Sequence, residues 1–186
     1  MAYHVRTKSV TLHVNKHFSA MPSPITIRPV RPADDAQAIT DIYNPFITQT
    51  TVSFETEPLS VEVMRQRIEE ISANYPYFIC EEEGKVCGYC YVHAWKERKA
   101  YAGTLEVTIY LSPSAQGRGI GAKMLKRLID VCKQRGTKAL IACITEGNNH
   151  SIRLHQSLGF KQVSHFKNVG YKFGKMLDVV DLELLL

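Results

Sequence analysis

The stretch from Leu105 to Gly136, LEVTIYLSPSAQGRGIGAKMLKRLIDVCKQRG, constrains this 186-residue chain more than any other. It opens as an apolar, β-branched run of strand length, Leu105 to Leu111, and passes through Ser112-Pro113 into a turn punctuated by Gly117, Gly119 and Gly121. Met124, Leu125, Leu128, Ile129 and Cys132 then repeat at helical spacing, Lys133 and Arg135 fall in the last turn, and Gly136 stands where a C-terminal cap belongs. A further apolar run, Lys138 to Ile144, completes strand, turn, helix, strand. A glycine-rich turn entering a helix leaves backbone N–H groups without partners at the positive end of the macrodipole, so the unit reads as a phosphate cradle. Arg118 adds a cation, and the three glycines remove side chains that would hold a pyrophosphate away.

Two common cradles fit poorly. The Walker type needs GK[ST], but Gly121-Ala122-Lys123 is followed by Met124, so no hydroxyl is placed for Mg²⁺. The dinucleotide type needs GxGxxG directly after the strand and an acid about 20 residues on. Here the spacing is GxGxG after a Ser-Pro step, and Glu146 is the nearest acid beyond the second strand. The run Gln116-Gly117-Arg118-Gly119-Ile120-Gly121 instead resembles the [QR]xxGxG pyrophosphate loop of the GNAT superfamily of acyl-CoA-dependent N-acetyltransferases.

The length suits one domain with a sizeable core. No apolar run approaches the ~18 residues of a membrane span. The first twenty residues are basic and acid-free but lack a signal-peptide core, with a transit peptide as a minor alternative, so a cytoplasmic protein is expected. Residues 1–20 read as an N-terminal extension of unknown role and 21–186 as a single GNAT domain. The net charge of +5 is scattered, which makes nucleic acid an uneconomical partner and an acidic small ligand an adequate one. Cys87 and Cys90 form a CxxC in an extended run; residues three apart in a strand face opposite ways, which argues against a shared metal or disulfide. No metal is expected.

Ahead of the cradle, Ile25 to Val30 reads as a strand, Asp34-Asp35 open a helix carrying Ile39, Ile42, Tyr43 and Phe46, and Pro45 makes its end irregular. Ser60 caps a second helix with Val61, Met64, Ile68 and Ile71 inward. Tyr77–Glu82 and Lys85–Trp95 form a hairpin around Glu83-Gly84. After the cradle a short helix from Ile152 to Leu158 closes at Gly159, and Phe160–Phe166 and Val179–Leu186 supply closing strands.

Four further stretches are similar to one GNAT branch, the phosphinothricin and methionine sulfone or sulfoximine acetyltransferases: TTVSFETEP (Thr50 to Pro58), WKERKAY (Trp95 to Tyr101), EVTIYLSP (Glu106 to Pro113) and NNHSIRLHQSLGF (Asn148 to Phe160). The resemblance implies an α/β (α+β) GNAT-like fold, a mixed, mostly antiparallel sheet flanked by helices with a central β-α-β unit binding acetyl-CoA. It also implies a homodimer and direct acetyl transfer to the α-amino group of a small amino acid. A protein or peptide N-acetyltransferase and a non-catalytic acyl-CoA-binding sensor are the alternatives.

An amine attacks a thioester only when unprotonated, and a free α-amino group has a pKa of about 8, so a nearby base helps. Glu106 is the candidate, directly or through water; its plain alternative is a solvent-facing or lysine-paired strand carboxylate. Where many GNAT enzymes carry a tyrosine acid this chain has His155, a candidate to protonate the leaving thiolate, to bind a ligand or simply to pack. Asn148 and Ser151 match positions that hydrogen-bond the pantetheine arm, with Ser151 alternatively a helix cap, and the backbones of Ile109 and Leu111 would pair with that arm. Arg98 and Lys96, walled by Trp95 and Tyr101, suit an anionic side group or carboxylate, Phe54 and Glu55 line the opposite side, and Glu57 is a candidate to hold the ammonium, each being by itself an ordinary surface residue and the set pointing to a pocket. The loop Asn168–Gly174 is expected to complete the pocket.

Overall fold

The computed structural model describes residues 24–186; the expectations for residues 1–20 and for a domain start at Met21 lie outside them. Eight strands form one sheet: β1 (Ile25–Pro29), β2 (Tyr77–Glu82), β3 (Lys85–Ala94), β4 (Thr104–Leu111), β5 (Ala139–Thr145), β6 (Lys161–Gln162), β7 (Phe166–Lys172) and β8 (Lys175–Leu185). Their order is β1-β2-β3-β4-β5-β8-β6, with β7 on β8. Only β4 and β5 run parallel, joined by the single-helix crossover α3 (Ile120–Gln134). Helices α1 (Pro32–Gln49) and α2 (Val61–Ser72) cover one face, and α3 with α4 (Asn149–Ser157) the other. No helix among the described residues is long and apolar enough to cross a membrane.

Helix α1 starts at Pro32, whose missing N–H costs nothing in the first turn, and buries Ile39, Ile42, Tyr43 and Ile47. It continues past Pro45 to Gln49, contrary to the expected irregular end. Both Pro45 and Asp41, whose carbonyl loses its helical donor, face solvent, so water can take the place of that bond. Asp35 is buried and accepts from Arg28 (2.7 and 2.8 Å) and from the Arg31 N–H (2.6 Å), while Arg28 also binds Glu81. Burial pushes the Asp35 carboxyl up, but these donors outweigh it and hold it below the usual carboxylate range. Ser60 caps α2 through the Val63 N–H.

The cysteine geometry differs from the sequence reading. Glu81 pairs with Val86 and Cys80 with Gly88, so Cys87 is the extra residue of a β-bulge. The bulge resets the alternation, and Cys87 and Cys90 both enter the core beneath α3. Burial pushes both thiols up, and all five cysteines are free.

The C-terminal third also departs from expectation. Helix α4 begins three residues early because the Asn148 side chain accepts from the Ser151 N–H (3.2 Å); Asn148, not Ser151, is the cap. Residues 163–165 do not continue a strand, and the expected loop Asn168–Gly174 is instead most of the β7–β8 hairpin, turning at Phe173 and Gly174.

Candidate active site

The site begins where two strands part. Thr104, Leu105 and Glu106 pair with Ala139, Leu140 and Ile141, and there the β4–β5 ladder stops. From Thr108 to Leu111, β4 is paired only with β3. The Ser112 N–H binds the Cys87 carbonyl (2.9 Å), so by antiparallel alternation the N–H groups of Ile109 and Leu111 point into the gap, while that of Val107 completes the last rung with β5. The Leu111 carbonyl also faces the gap and accepts from Gln116 Nε2 at 3.3 Å. This open edge is where an amide-bearing ligand can add as a strand.

The gap is a cleft of about 310 Å³ lined by Glu106 to Leu111, Gln116, Cys143, Thr145, Asn148, Ser151 and His155, among others. At its far end Gly117 (φ 71°) and Gly119 (φ 76°) adopt left-handed backbone, and open space surrounds the positions a Cβ would fill. The first α3 hydrogen bond runs from Lys123 N–H to the Gly119 carbonyl (3.2 Å), so the N–H groups ahead of it have no helical acceptor. A groove lined by Gly117, Gly119, Ile120, Gly121, His150 and Arg153 lies over them. Gly121 serves packing instead: a Cβ there would come 3.1 Å from Leu154 of α4. Arg118 does not join the cradle either, since its guanidinium is engaged by Glu82.

His155 is 2% exposed. Its Nδ1 lies 2.9 Å from the Ser151 carbonyl, which only accepts, so Nδ1 carries the hydrogen and Nε2 offers a lone pair. That Nε2 is the only buried side-chain nitrogen or oxygen among the described residues with no partner. Burial lowers the imidazole pKa, which keeps the ring neutral. His155 therefore accepts before it can donate, so the acid role expected from sequence requires prior protonation.

A second cleft opens from the first and is lined by Tyr43, Ser53, Phe54, Glu55, Tyr91, His93, Glu106, Thr108, Tyr110 and Cys143. Glu106 stands where the two meet. Burial pushes its carboxyl up; nearby His93 and Cys143 pull it down and Asp181 pushes it up, leaving it above the ordinary carboxylate range. Phe54 and Glu55 reach this cleft because the loop after α1 is pinned. Asn44 binds both backbone groups of Leu59 (2.9 and 3.0 Å), Thr145 Oγ1 binds the Thr51 carbonyl (2.9 Å), and buried Lys172 binds the Ser53 carbonyl (2.5 Å). The Glu55 carboxylate is held by Arg67 (2.7 Å) and Tyr43 (3.1 Å).

The remaining expected residues are not gathered with these. Glu57 is exposed and lines neither cleft. Lys96, Arg98 and Tyr101 border a separate surface hollow, where Trp95 meets Tyr101 edge-on at 5.4 Å and Lys96 sits 3.9 Å over the Trp95 ring. The sequence reading missed His93, Thr108, Tyr110, Cys143, His150 and Arg153. Period-two counting along Glu106-Val107-Thr108-Ile109-Tyr110 would have found Thr108 and Tyr110.

Residues 27–180 match the model of the Acetyltransferase (GNAT) domain family. The chain is 40% identical to a phosphinothricin N-acetyltransferase of Alcaligenes faecalis, over 83% of this chain and 79% of that one. It is 36% identical to an L-methionine sulfoximine/L-methionine sulfone acetyltransferase of Salmonella typhimurium, over 87% and 95%. A GNAT superfamily phosphinothricin acetyltransferase from Sinorhizobium meliloti, solved in complex with AcCoA, superposes with a TM-score of 0.84 at 36% identity, covering 87% of this chain and 88% of that one.

Proposed function

The chain belongs to the GNAT acetyltransferase family, and from that premise we propose that it transfers an acetyl group from acetyl-CoA directly to the α-amino group of a small amino acid such as phosphinothricin, methionine sulfone or methionine sulfoximine. The observation that carries the reading is the position of Glu106, at the last rung of the β4–β5 ladder and on the wall of both clefts.

The residues present fit acetyl-CoA: an open β4 edge for amides, a glycine cradle with free N–H groups for the pyrophosphate, and an unpartnered buried Nε2 in the same cleft. Bound there, acetyl-CoA supplies the activated acetyl thioester. Ile109 and Leu111 offer N–H donors along the open edge, where they can hold amides and stabilise charge growing on a carbonyl oxygen. Glu106 takes the proton of the arriving ammonium, for which a carboxyl raised by burial is better suited than an exposed one. Tyr43, Phe46 and Tyr110 form an aromatic wall over this end, with ring centroids 4.9 and 5.0 Å apart, that limits access of water. Asn148 and Ser151 border the cleft with His155.

Phe54 and Glu55 wall the amine-facing cleft in this reading. Arg98, Lys96, Trp95, Tyr101 and Glu57 lie outside it within one chain, and we assign them to the substrate's approach. A homodimer is part of the proposal. It is supported by the exposed Phe166, Val169, Tyr171, Phe173 and Met176 of the β7–β8 hairpin, an apolar surface of the kind that seeks a partner. Five free thiols support a reducing compartment such as the cytoplasm. Release of free thiol from acetyl-CoA, with mass spectrometry of the product, tests the reaction. Acetylated amino acid supports it; acetylated peptide alone would favour the peptide reading, and no turnover with tight binding would favour a sensor.

A further inference from the structure

A row of titratable side chains crosses four strands at the meeting point of the two clefts: His93 on β3, Glu106 on β4, Cys143 on β5 and Asp181 on β8. His93 lies directly across from Glu106, and Cys143 directly across from Asp181. His93 Nε2 is 3.8 Å from Glu106 Oε1, and both line the amine-facing cleft.

The His93 tautomer is fixed by its neighbour. Nδ1 lies 2.9 Å from the Ala94 carbonyl, which only accepts, so Nδ1 carries the hydrogen and the neutral ring turns a bare Nε2 lone pair toward Glu106. A lone pair facing an ionised carboxylate repels it. The contact becomes attractive when one proton is present, either on the carboxyl or on the ring. The gap exceeds a direct hydrogen bond by less than an ångström, which a small side-chain rotation closes. The His93 side chain is the more exposed of the two, 35% against 27% for Glu106, and so is the member in contact with solvent.

Every turnover that starts from an ammonium leaves one proton on the base, and the base must lose it before the next. We propose that His93 carries the proton of Glu106 to solvent, so that the pair, not Glu106 alone, restores the base. The inference rests on Glu106 being that base. The substrate N–H bond breaks and its proton adds to a Glu106 oxygen. The proton moves from that oxygen to His93 Nε2, leaving carboxylate and imidazolium, and the imidazolium gives a proton to bulk water or buffer. In this relay His93 acts through Glu106. The other groups facing the pair are Tyr91 of β3, with its ring 5.9 Å from His93, Cys143 of β5, Asp181 of β8 and Glu55 of the loop before α2. An imidazolium at His93 favours ionised Glu106, so its removal makes Glu106 harder to ionise.

The test compares His93→Gln and His93→Asn with Glu106→Gln, with melting curves to verify folding. The His93 variants should lose kcat on the order of tenfold, with KM for acetyl-CoA unchanged. The acid limb of kcat/KM should move to higher pH, and imidazole in the buffer should restore kcat in proportion to its concentration. Glu106→Gln should be slower still and gain nothing from imidazole. Unchanged kcat and pH profile in both His93 variants, or a loss that imidazole does not restore, would each overturn the relay. Wild-type activity in Glu106→Gln would overturn the base reading instead.

Discussion

Two carboxylates show how position decides what a charge does. Glu106 is raised by burial, so its ionised form is disfavoured in the folded chain, and Asp35 is lowered by Arg28. Opposite stability effects follow. Glu106→Gln should cut kcat/KM about 10²–10⁴-fold yet raise the melting temperature at neutral pH. That gain should close as pH falls through the folded value toward the unfolded one, where the wild-type carboxyl is protonated in both states. Asp35→Asn should cost about 2–3 kcal/mol, with activity per folded molecule retained. Its deficit should be full at neutral pH and shrink as pH drops below the unfolded value of about 3.9 through the lower folded one, because the wild type then loses its ion pair as well. Calorimetry across pH reads both. Glu106 was legible in the sequence because it precedes the cradle on an obvious strand. Asp35 looked like an ordinary first-turn acid, since its partner Arg28, and Glu81 that shares the same guanidinium, come from strands whose register no local pattern reveals.

At the scale of elements, the cradle separates glycines by the reason each is there. Gly119→Ala should introduce left-handed strain of about 1–3 kcal/mol into the loop and raise KM for acetyl-CoA, with KM for the amine little changed. Gly121→Ala should instead act on packing, because its Cβ meets Leu154 at 3.1 Å, and so show in the melting temperature with KM for acetyl-CoA little changed. Steady-state kinetics and thermal melts of the two variants tell these effects apart. The strand-turn-helix-strand unit was readable because its periodicities of 2 and 3.6 are local. The bulge at Cys87 was not, since an extra residue is defined only against the partner strand, and it reversed the expected facing of the CxxC pair. The start of α4 moved for a related reason: an Asn cap is legible only once the loop before it is placed.

Across the whole molecule, pairing between distant segments builds the site. The Ser53–Glu55 wall depends on Lys172 and Thr145, far away in sequence, and the β7–β8 hairpin that supplies Lys172 reads as a loop in a chain of polar and aromatic letters. The same hairpin exposes Tyr171 and Phe173, at 68% and 56%. Changing both to Asp should convert a sedimenting dimer to a monomer, and an unchanged sedimentation coefficient would remove this surface from the dimer proposal. The fold and reaction class were written in the loop Gln116–Gly121 and the strand before it. The substrate pocket was only partly written, since Trp95 to Tyr101 does not reach Glu106 within one chain. The most direct test of the account is thiol release from acetyl-CoA with phosphinothricin, methionine sulfone, methionine sulfoximine and plain amino acids, run beside Glu106→Gln. The account predicts release with at least one of these amines, an N-acetylated amino acid as product, and its near-abolition in Glu106→Gln. Release that needs no amino acid, or that survives intact in Glu106→Gln, would contradict it.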